Sequence, residues 1–317
     1  MPRALPSLVA TLTWGAMFPI AAATLHHVDP YHLTAIRYGL AVPVFLALLA
    51  AVEGREKLKP EGRSLELFVL GSVGFAGFNL LGYGGIEHTR PQEASLVAAL
   101  MPLLTVLATW ALSRRAPGRA TLTGIAVAFA GVALVITRGN PANAIHGGGL
   151  GGDALVLFGA MTWVAYTLGA RRFPGFSPLR YTALSATGGA LTVLAITTVL
   201  TVTGTEPLPT AHALGAVWLQ LVYVVAFAAV LAVLAWNEGV RRLGAPNASL
   251  FMNLVPIVAF TIAVAQGYHP VGIEILGGLI TVGALVGVNL AGRQAIRLPS
   301  SSAWAATRLA KLAKSRA

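Results

Sequence analysis

Residues 94–103 read ASLVAALMPL, and residues 248–257 read ASLFMNLVPI. Both stretches begin with Ala-Ser-Leu, and a later Leu and a Pro stand at matching positions. A proline inside a helix removes one backbone hydrogen bond and bends the chain, so each stretch predicts a bent helix. The same bend occurring twice in one chain indicates an internally duplicated fold.

The composition is that of a membrane protein. Of the 317 residues, 56% are hydrophobic and 10% are charged, whereas a soluble domain carries about 25% charged residues. Ten apolar segments are each close to the roughly 20 residues that a helix needs to cross a bilayer. They cover about residues 5–25, 32–52, 64–86, 93–113, 119–138, 151–170, 180–202, 213–237, 246–266 and 271–292. We predict an all-α polytopic membrane protein with ten transmembrane helices.

The basic residues are distributed unequally between the two sides of the predicted membrane. Arg90 and Arg138 fall on one side, Arg37 lies within the second segment, and every other Lys and Arg falls on the opposite side. Cytoplasmic loops are enriched in Lys and Arg, so both termini are predicted to be cytoplasmic. The net charge of +11 belongs to these loops and not to one soluble face, so we predict no nucleic-acid partner.

The duplication extends beyond the two opening stretches. Thr13-Trp14 in the first segment recurs as Thr162-Trp163 in the sixth. Each match is weak in so apolar a chain, but the matches follow one another in the same order in both halves. That order favours two copies of one unit.

The predicted copies divide the chain into four parts. The first five-helix repeat covers residues 1–138, a linker covers 139–150, the second five-helix repeat covers 151–292, and a basic cytoplasmic tail covers 293–317. Because five is an odd number of spans, the second repeat enters the membrane from the opposite side, and the repeats are inverted. Inverted repeats are typical of secondary transporters, whose site lies near the midplane where the repeats meet.

Two prolines mark the predicted bends. Pro102 and Pro256 lie roughly midway along the fourth and ninth segments. A backbone carbonyl freed by proline is tolerated in a membrane where it faces protein or a water-filled cavity. We therefore predict that both helices bend at a central cavity and take part in gating. A bend without a functional role is the alternative.

Several polar side chains lie well inside their segments. Trp14 and Trp163 are repeat-related and close to the midplane, where lipid offers their indole N–H groups no partner. The amides of Asn79 and Asn253 have the same need. We predict that these four side chains face a cavity, with hydrogen bonding between helices as the alternative. Arg37 either reaches the extracellular interface or pairs with a polar partner.

The remaining sequence argues against enzymatic chemistry. There is no cysteine, no H-E-x-x-H motif and no G-x-x-x-x-G-K-[ST] motif, which excludes a Cys-based metal or redox site and a built-in ATPase. We predict no catalytic residue, no metal and no cofactor. Asp, Glu and His lie in loops or near segment ends, and proton-coupled transporters carry such groups inside the membrane. Facilitated transport is therefore favoured.

Four stretches resemble the drug/metabolite transporter superfamily, in its ten-span EamA-type branch. They are TWGAMFPI (13–20), YGGIEHTRPQEASLVAALMPLLT (83–105), MTWVAYTL (161–168) and NEGVRRLGAPNASLFMNLVPIVA (237–259). The resemblance implies two inverted five-helix repeats around a central cavity lined by the first, third, fourth, sixth, eighth and ninth helices. The substrate-binding candidates on that arrangement are Trp14, Asn79, Tyr83, Met101, Trp163, Tyr166, Trp236 and Asn253.

The chain looks most like the bacterial aromatic amino acid exporter group. That likeness implies export of Phe, Tyr and Trp across the bacterial inner (plasma) membrane by alternating access, with the substrate ring stacked on Trp163 and Tyr83. Export of other amino acids, small metabolites or drugs, with or without proton coupling, is the alternative. A channel or a non-transporting membrane scaffold is the alternative from another class.

The predicted partners are a small-molecule substrate and the lipid bilayer, and the protein is predicted to function as a monomer. Residues 300–316 have an amphipathic, basic pattern. Such a helix binds anionic lipid at a membrane surface. A solvated tail that helps to fix the topology is the alternative.

Overall fold

A computed structural model describes residues 3–114, 116–140, 149–243 and 248–297. The described chain is helical, and eight helices are long and apolar enough to cross a membrane, while α9 and the apolar part of α10 are shorter. The helices are α1 Leu5–Leu25, α2 Pro30–Glu53, α3 Ser64–Ile86, α4 Pro91–Ser113, α5 Arg119–Thr137, α6 Gly149–Arg172, α7 Pro178–Val202, α8 Trp218–Leu243, α9 Phe251–Ala265 and α10 Gly272–Arg297. The prediction of an all-α polytopic membrane protein is confirmed. The predicted tail helix and most of the linker lie outside the described residues.

Equivalent helices of the two halves begin in the same way. Asp29 caps α2 by accepting hydrogen bonds from the backbone N–H groups of Tyr31 and His32, and Ser177 caps α7 by accepting one from Arg180. A proline occupies the first turn of each helix, where its missing N–H has no cost and its fixed φ suits the helix. The shared cap and proline are therefore a local reason for both helix starts.

The helix pairs reflect the inverted repeat. α2 packs against α7, and α5 packs against α10, so each of these pairs joins equivalent helices. α3 packs against α6, and the equivalent pair, α8 against α1, also forms. This exchange of partners between equivalent helices is the pairing expected of an inverted repeat.

The eighth helix differs from its predicted bounds of 213–237. A separate short helix, Ala211–Ala216, comes first, the backbone turns at Val217, and α8 then continues to Leu243. The predicted span includes the apolar residues before this turn, and it ends where the sequence becomes polar. The polar end remains helical because Glu238 pairs with Arg241 and Arg242 at 2.5 Å, three and four residues further on.

Four central helices depart from regular α-helical geometry. α4 is interrupted at Leu100, just before Pro102. A 3₁₀ turn, Ser249–Asn253, overlaps the start of α9 and precedes its α-helical part, Leu254–Ala265, which contains Pro256. The equivalent helices α3 and α8 each contain a π-helical stretch, at Ser72–Gly77 and Tyr223–Leu231. Such stretches occur often at functional sites, and no sequence pattern indicated them. The gating role of the two prolines stays a prediction.

Candidate functional site

A cavity of about 110 Å³ lies between the two halves. Its walls come from α1, α2, α3, α4, α6, α8 and α9, and they are aromatic or aliphatic apart from one charged side chain. The lining residues are Trp14, Met17, Phe18, Arg37, Tyr38, Phe45, Phe75, Phe78, Ala98, Ala99, Met101, Trp163, Ala228, Ala229, Val233, Met252 and Val255. The volume is below the ~300–1,000 Å³ of typical small-molecule sites, so the cavity is small for a substrate-binding site.

The charged side chain is Arg37, which is 5% exposed. Its Nη1 donates to Asn79 Oδ1 at 2.9 Å and to the Tyr83 hydroxyl at 2.5 Å, and its Nη2 lies 3.5 Å from the Ala228 carbonyl oxygen. Asn79 is itself held, because its Nδ2 donates to the Tyr38 hydroxyl at 3.0 Å. These polar groups of α2, α3 and α8 hold the guanidinium at the cavity wall.

The aromatic side of the cavity is centred on Trp163. The ring centroids of Phe75 and Phe78 lie 5.6 and 5.4 Å from that of Trp163, which are ordinary separations for aromatic pairs. Across the cavity, Trp14 Nε1 donates to the Ala228 carbonyl oxygen at 3.1 Å. Each indole therefore has a fixed position on the wall.

Five of the eight predicted substrate-binding residues lie at the cavity, either on its wall or in contact with Arg37. Trp14, Met101 and Trp163 line the cavity. Asn79 and Tyr83 lie behind the wall and bind Arg37. The structure therefore brings these five predicted residues together, three on the wall and two as supports of its charge.

The other three predicted residues do not line the cavity in this structure. Tyr166 stacks on Tyr181, with ring centroids 4.9 Å apart. The ring centroid of Trp236 lies 5.7 Å from that of Trp14, but Trp236 is not among the residues that line the cavity. Asn253 is buried in the turn that opens α9. The sequence indicates that these residues lie in apolar segments, but it does not indicate which way their side chains point around the helix axis.

The α2 helix is the contribution that sequence reasoning missed. The resemblance pointed to six helices around the cavity, and α2 adds Arg37, Tyr38 and Phe45 to its wall. Arg37 does not reach the extracellular interface, and the alternative of a polar partner holds. A signal was present, because Arg37 is the one Lys or Arg that stands away from the ends of a predicted segment, and intramembrane charges mark functional sites.

A second polar cluster lies at the face that carries Arg90 and Arg138, which we call the outer face because the loop charges predict it to be extracellular. Both arginines bind the same atom, Glu274 Oε1, at 2.7 Å. The Tyr268 hydroxyl also lies within 2.7 Å of both Glu274 oxygens, and burial raises the pKa of Tyr268 to about 12, which keeps it a donor. The cluster ties α5 and the α3–α4 loop of the first half to the second half.

The cluster continues into the first half and α6. Arg90 also pairs with Glu93, and Thr89 Oγ1 lies 3.0 Å from Glu93 Oε2 and 2.7 Å from Asp153 Oδ1. Asp153 is buried, and its Oδ2 has no hydrogen-bond partner among the described residues. The polar network at the outer face thus crosses between the halves several times.

Apolar helices in two inverted halves around a buried central cavity define a membrane transporter. The chain matches the model of the EamA-like transporter family over residues 4–137 and 150–290, and it belongs to that family. The resemblance found in the sequence is thereby confirmed. The protein is a multi-pass membrane transporter.

Individual relatives support the same assignment. The chain is 32% identical over 295 residues to the uncharacterized transporter YrdR of Bacillus subtilis (strain 168), covering 92% of each chain. It is 25% identical over 294 residues to the aromatic amino acid exporter YddG of Ancylobacter novellus, covering 90% of this chain and 96% of that one. A solved crystal structure superposes with a TM-score of 0.65 at 24% identity, covering 92% of this chain and 98% of that one, which shows the shared fold.

Proposed function

We propose that this protein exports aromatic amino acids across the bacterial inner membrane by facilitated, alternating-access transport, with both termini cytoplasmic. The observation that carries the proposal is a central cavity whose walls are aromatic and whose one charged group is cationic. The exporter from Ancylobacter novellus, whose name states that it exports aromatic amino acids, supports the choice of substrate.

The chemistry of the cavity suits such a substrate. A Phe, Tyr or Trp side chain would find edge-to-face or offset-stacked partners in Trp14, Phe78 and Trp163, which are favourable arrangements for aromatic pairs. Met101 adds a flexible thioether that adapts to rings of different size. We assign direct substrate contact to Trp14, Met101 and Trp163, and support of the site to Asn79 and Tyr83.

The small cavity and the ion-pair network at the outer face suit alternating access. A substrate larger than the present cavity requires the walls to separate, and the irregular stretches of α3, α4, α8 and α9 are places where a helix can change its bend. The two inverted repeats, over residues 1–138 and 151–292, would each supply one gate. We include Pro102 and Pro256 in this proposal as the bend positions of α4 and α9.

Counterflow in liposomes tests the proposal. Vesicles containing the purified protein and an excess of unlabelled Phe should accumulate labelled Phe, Tyr and Trp transiently, whereas labelled Thr and methyl viologen should not accumulate. Accumulation of Thr or methyl viologen in place of the aromatic compounds would assign the protein to other amino acids, metabolites or drugs. Unsaturable flux without trans-stimulation would indicate a channel, and absence of flux with every compound would indicate a scaffold.

A proton gradient should leave this exchange unchanged, because the cavity is lined by no carboxylate or histidine. The measurement is the initial rate of Phe counterflow with and without an imposed pH difference across the vesicle membrane. Stimulation by an inward proton gradient would overturn the facilitative part of the proposal, and the buried Asp153 would then be the first residue to replace.

Replacing Trp163 by Ala should lower Phe counterflow by about tenfold, the effect expected for loss of a stacked aromatic contact of roughly 1.5 kcal/mol. Trp163→Phe should retain most of the activity. The matched control is Trp218→Ala, since Trp218 is exposed at the start of α8 and does not line the cavity. If Trp163→Ala reduces folded protein as much as flux, Trp163 is structural.

A further inference from the structure

We propose that Arg37 binds the carboxylate of the transported molecule, so that the cavity selects aromatic compounds with a free carboxylate and rejects the matching amides and amines. The inference rests on the proposed function, because it concerns the same cavity. It goes further by assigning the recognition of the charged group to one residue of α2.

The first argument is charge. Arg37 forms no ion pair with a described carboxylate, and its observed acceptors, Asn79, Tyr83 and the Ala228 carbonyl, are all neutral. The cavity that it lines contains no other charged side chain. A buried charge without a counter-charge is strongly disfavoured, and within a membrane the cost is larger still. An anion bound in the cavity would remove that cost.

The second argument is the unused donor capacity. The Nε of Arg37 is buried without a hydrogen-bond partner, and its Nη2 has only the distant Ala228 carbonyl at 3.5 Å. A guanidinium presents its N–H groups as a fixed fork that suits the two oxygens of a carboxylate. The Nη1 side of Arg37 is occupied by the protein, so donors on Nε and Nη2 remain for a ligand.

The third argument is that the guanidinium is held before any ligand binds. Asn79 and Tyr83 fix Nη1, and Asn79 is fixed in turn by the Tyr38 hydroxyl and the Phe75 carbonyl oxygen, at 3.0 and 2.8 Å. A binding group held by hydrogen bonds from behind loses little freedom when the ligand arrives. These contacts distinguish a built site from an arginine that lies along an apolar surface.

A purely structural role would look different. Buried polar side chains in a structural role have their hydrogen-bonding groups satisfied, and a structural arginine would be paired with a carboxylate. The rings of Tyr38 and Tyr83 lie 5.3 and 6.0 Å from the guanidinium carbon, and such contacts stabilise a cation without neutralising it. The net charge therefore remains available to a ligand.

Four phenyl compounds of similar size test the proposal on the full-length protein. Phenylalanine and 3-phenylpropionate carry a carboxylate, whereas phenylalaninamide and phenethylamine do not. Each is measured as a competitor of labelled Phe counterflow and as a stabiliser against thermal unfolding in detergent. We expect the two carboxylates to act at concentrations at least about tenfold lower than the amide and the amine, as expected for charge-assisted hydrogen bonds.

Substitutions of Arg37 test the contribution of its positive charge to ligand binding. Arg37→Met should weaken the apparent affinity for 3-phenylpropionate by about 10- to 100-fold and leave that for phenethylamine nearly unchanged. Arg37→Lys keeps the charge without the fork and should fall between. Arg171→Met is the matched control, since Arg171 is exposed beyond the cavity. If Arg37→Met does not fold, the four compounds on the unmodified protein and on Arg37→Lys still decide.

The outcomes separate the two proposals. Equal action of all four compounds, or an equal loss of all four in Arg37→Met, would overturn the role of Arg37 while leaving export of Phe intact. Stabilisation by 3-phenylpropionate that depends on Arg37, without any transport of Phe, Tyr or Trp, would refute aromatic amino acid export and support the carboxylate site. No binding by any of the four compounds would overturn both.

Discussion

Glu274→Gln should expose the central cavity to reagents from the outer face, raising the labelling rate of a reporter there by at least about tenfold. Glu274 is 1% exposed and accepts from Arg90, Arg138 and Tyr268. Removing one partner of a fully buried ion pair typically costs about 3–5 kcal/mol, and the cost is smaller here because Arg90 and Arg138 are partly exposed. If the outer gate opens by separating these groups, the substitution mainly destabilises the state that is closed on the outer side. A change of about 1.4 kcal/mol in its free energy already changes the ratio of open to closed molecules tenfold.

The chain suits this experiment because it contains no cysteine. Ala98→Cys places a single reporter on the cavity wall, and a membrane-impermeant maleimide added to intact cells reaches it only through the outer face. The labelling rate is compared between Ala98→Cys alone and Ala98→Cys combined with Glu274→Gln. The same reagent applied to inside-out vesicles reports the opposite face.

The matched control is Glu56→Gln, which breaks the exposed Lys59–Glu56 pair at the basic face. Exposed pairs contribute little to stability, so labelling should not change. Equal labelling with and without Glu274→Gln would show that the cluster does not hold the outer face closed. Faster labelling from both faces would indicate general loosening of the fold.

The helices were largely predictable because span length and apolar composition are imposed by the bilayer. Most predicted bounds agree with the structure within a few residues. The largest difference, in α8, shows the limit of hydropathy. The turn at Val217 lies inside an apolar run, and the last turn of α8 is polar but stabilised by Glu238 and its two arginines. The ends of such a helix depend on local backbone geometry and on side-chain pairing, and hydropathy reports neither.

The sequence predicts which apolar segments contribute to the candidate site, but not which way the side chains point around each helix. Trp14 and Trp163 are predicted to face the cavity and do line it, whereas Tyr166 and Trp236 are also predicted to line it but pack against Tyr181 and Trp14. The direction of a side chain depends on the rotation of its helix. Sequence periodicity reports rotation only where one face is polar, and these helices are apolar nearly all round.

Partners distant in sequence were the least predictable part. In the sequence, Arg90 and Arg138 indicate only the orientation of the chain in the membrane. In the structure, both bind Glu274 of α10, which is far from them along the chain. The sequence does not indicate whether Arg37 reaches the interface or a polar partner, and its partner Asn79 lies on the neighbouring helix, α3. Such pairings follow from the three-dimensional arrangement of the repeats, which no local pattern contains.

Gly277→Val should lower the melting temperature by roughly 5–10 °C, whereas Gly278→Val should leave it nearly unchanged. A Cβ atom on Gly277 would lie 2.7 Å from the Gly131 carbonyl oxygen and 2.9 Å from Val135 Cγ2, while one on Gly278 would meet nothing within 4 Å. Close approach of membrane helices depends on such small residues.

The two neighbouring glycines isolate packing from backbone preference. Both stand inside α10, so the change in helix propensity is the same for both, and only the contact with α5 differs. Thermal unfolding of the purified protein in detergent measures the effect, and Gly277→Ala gives a smaller version if the valine variant does not express. The contact is reciprocal, since a Cβ on Gly131 would lie 2.8 Å from the Gly277 carbonyl oxygen. Equal melting temperatures for the Gly277 and Gly278 variants would mean that α5 and α10 separate easily, which would contradict a rigid pairing of these equivalent helices.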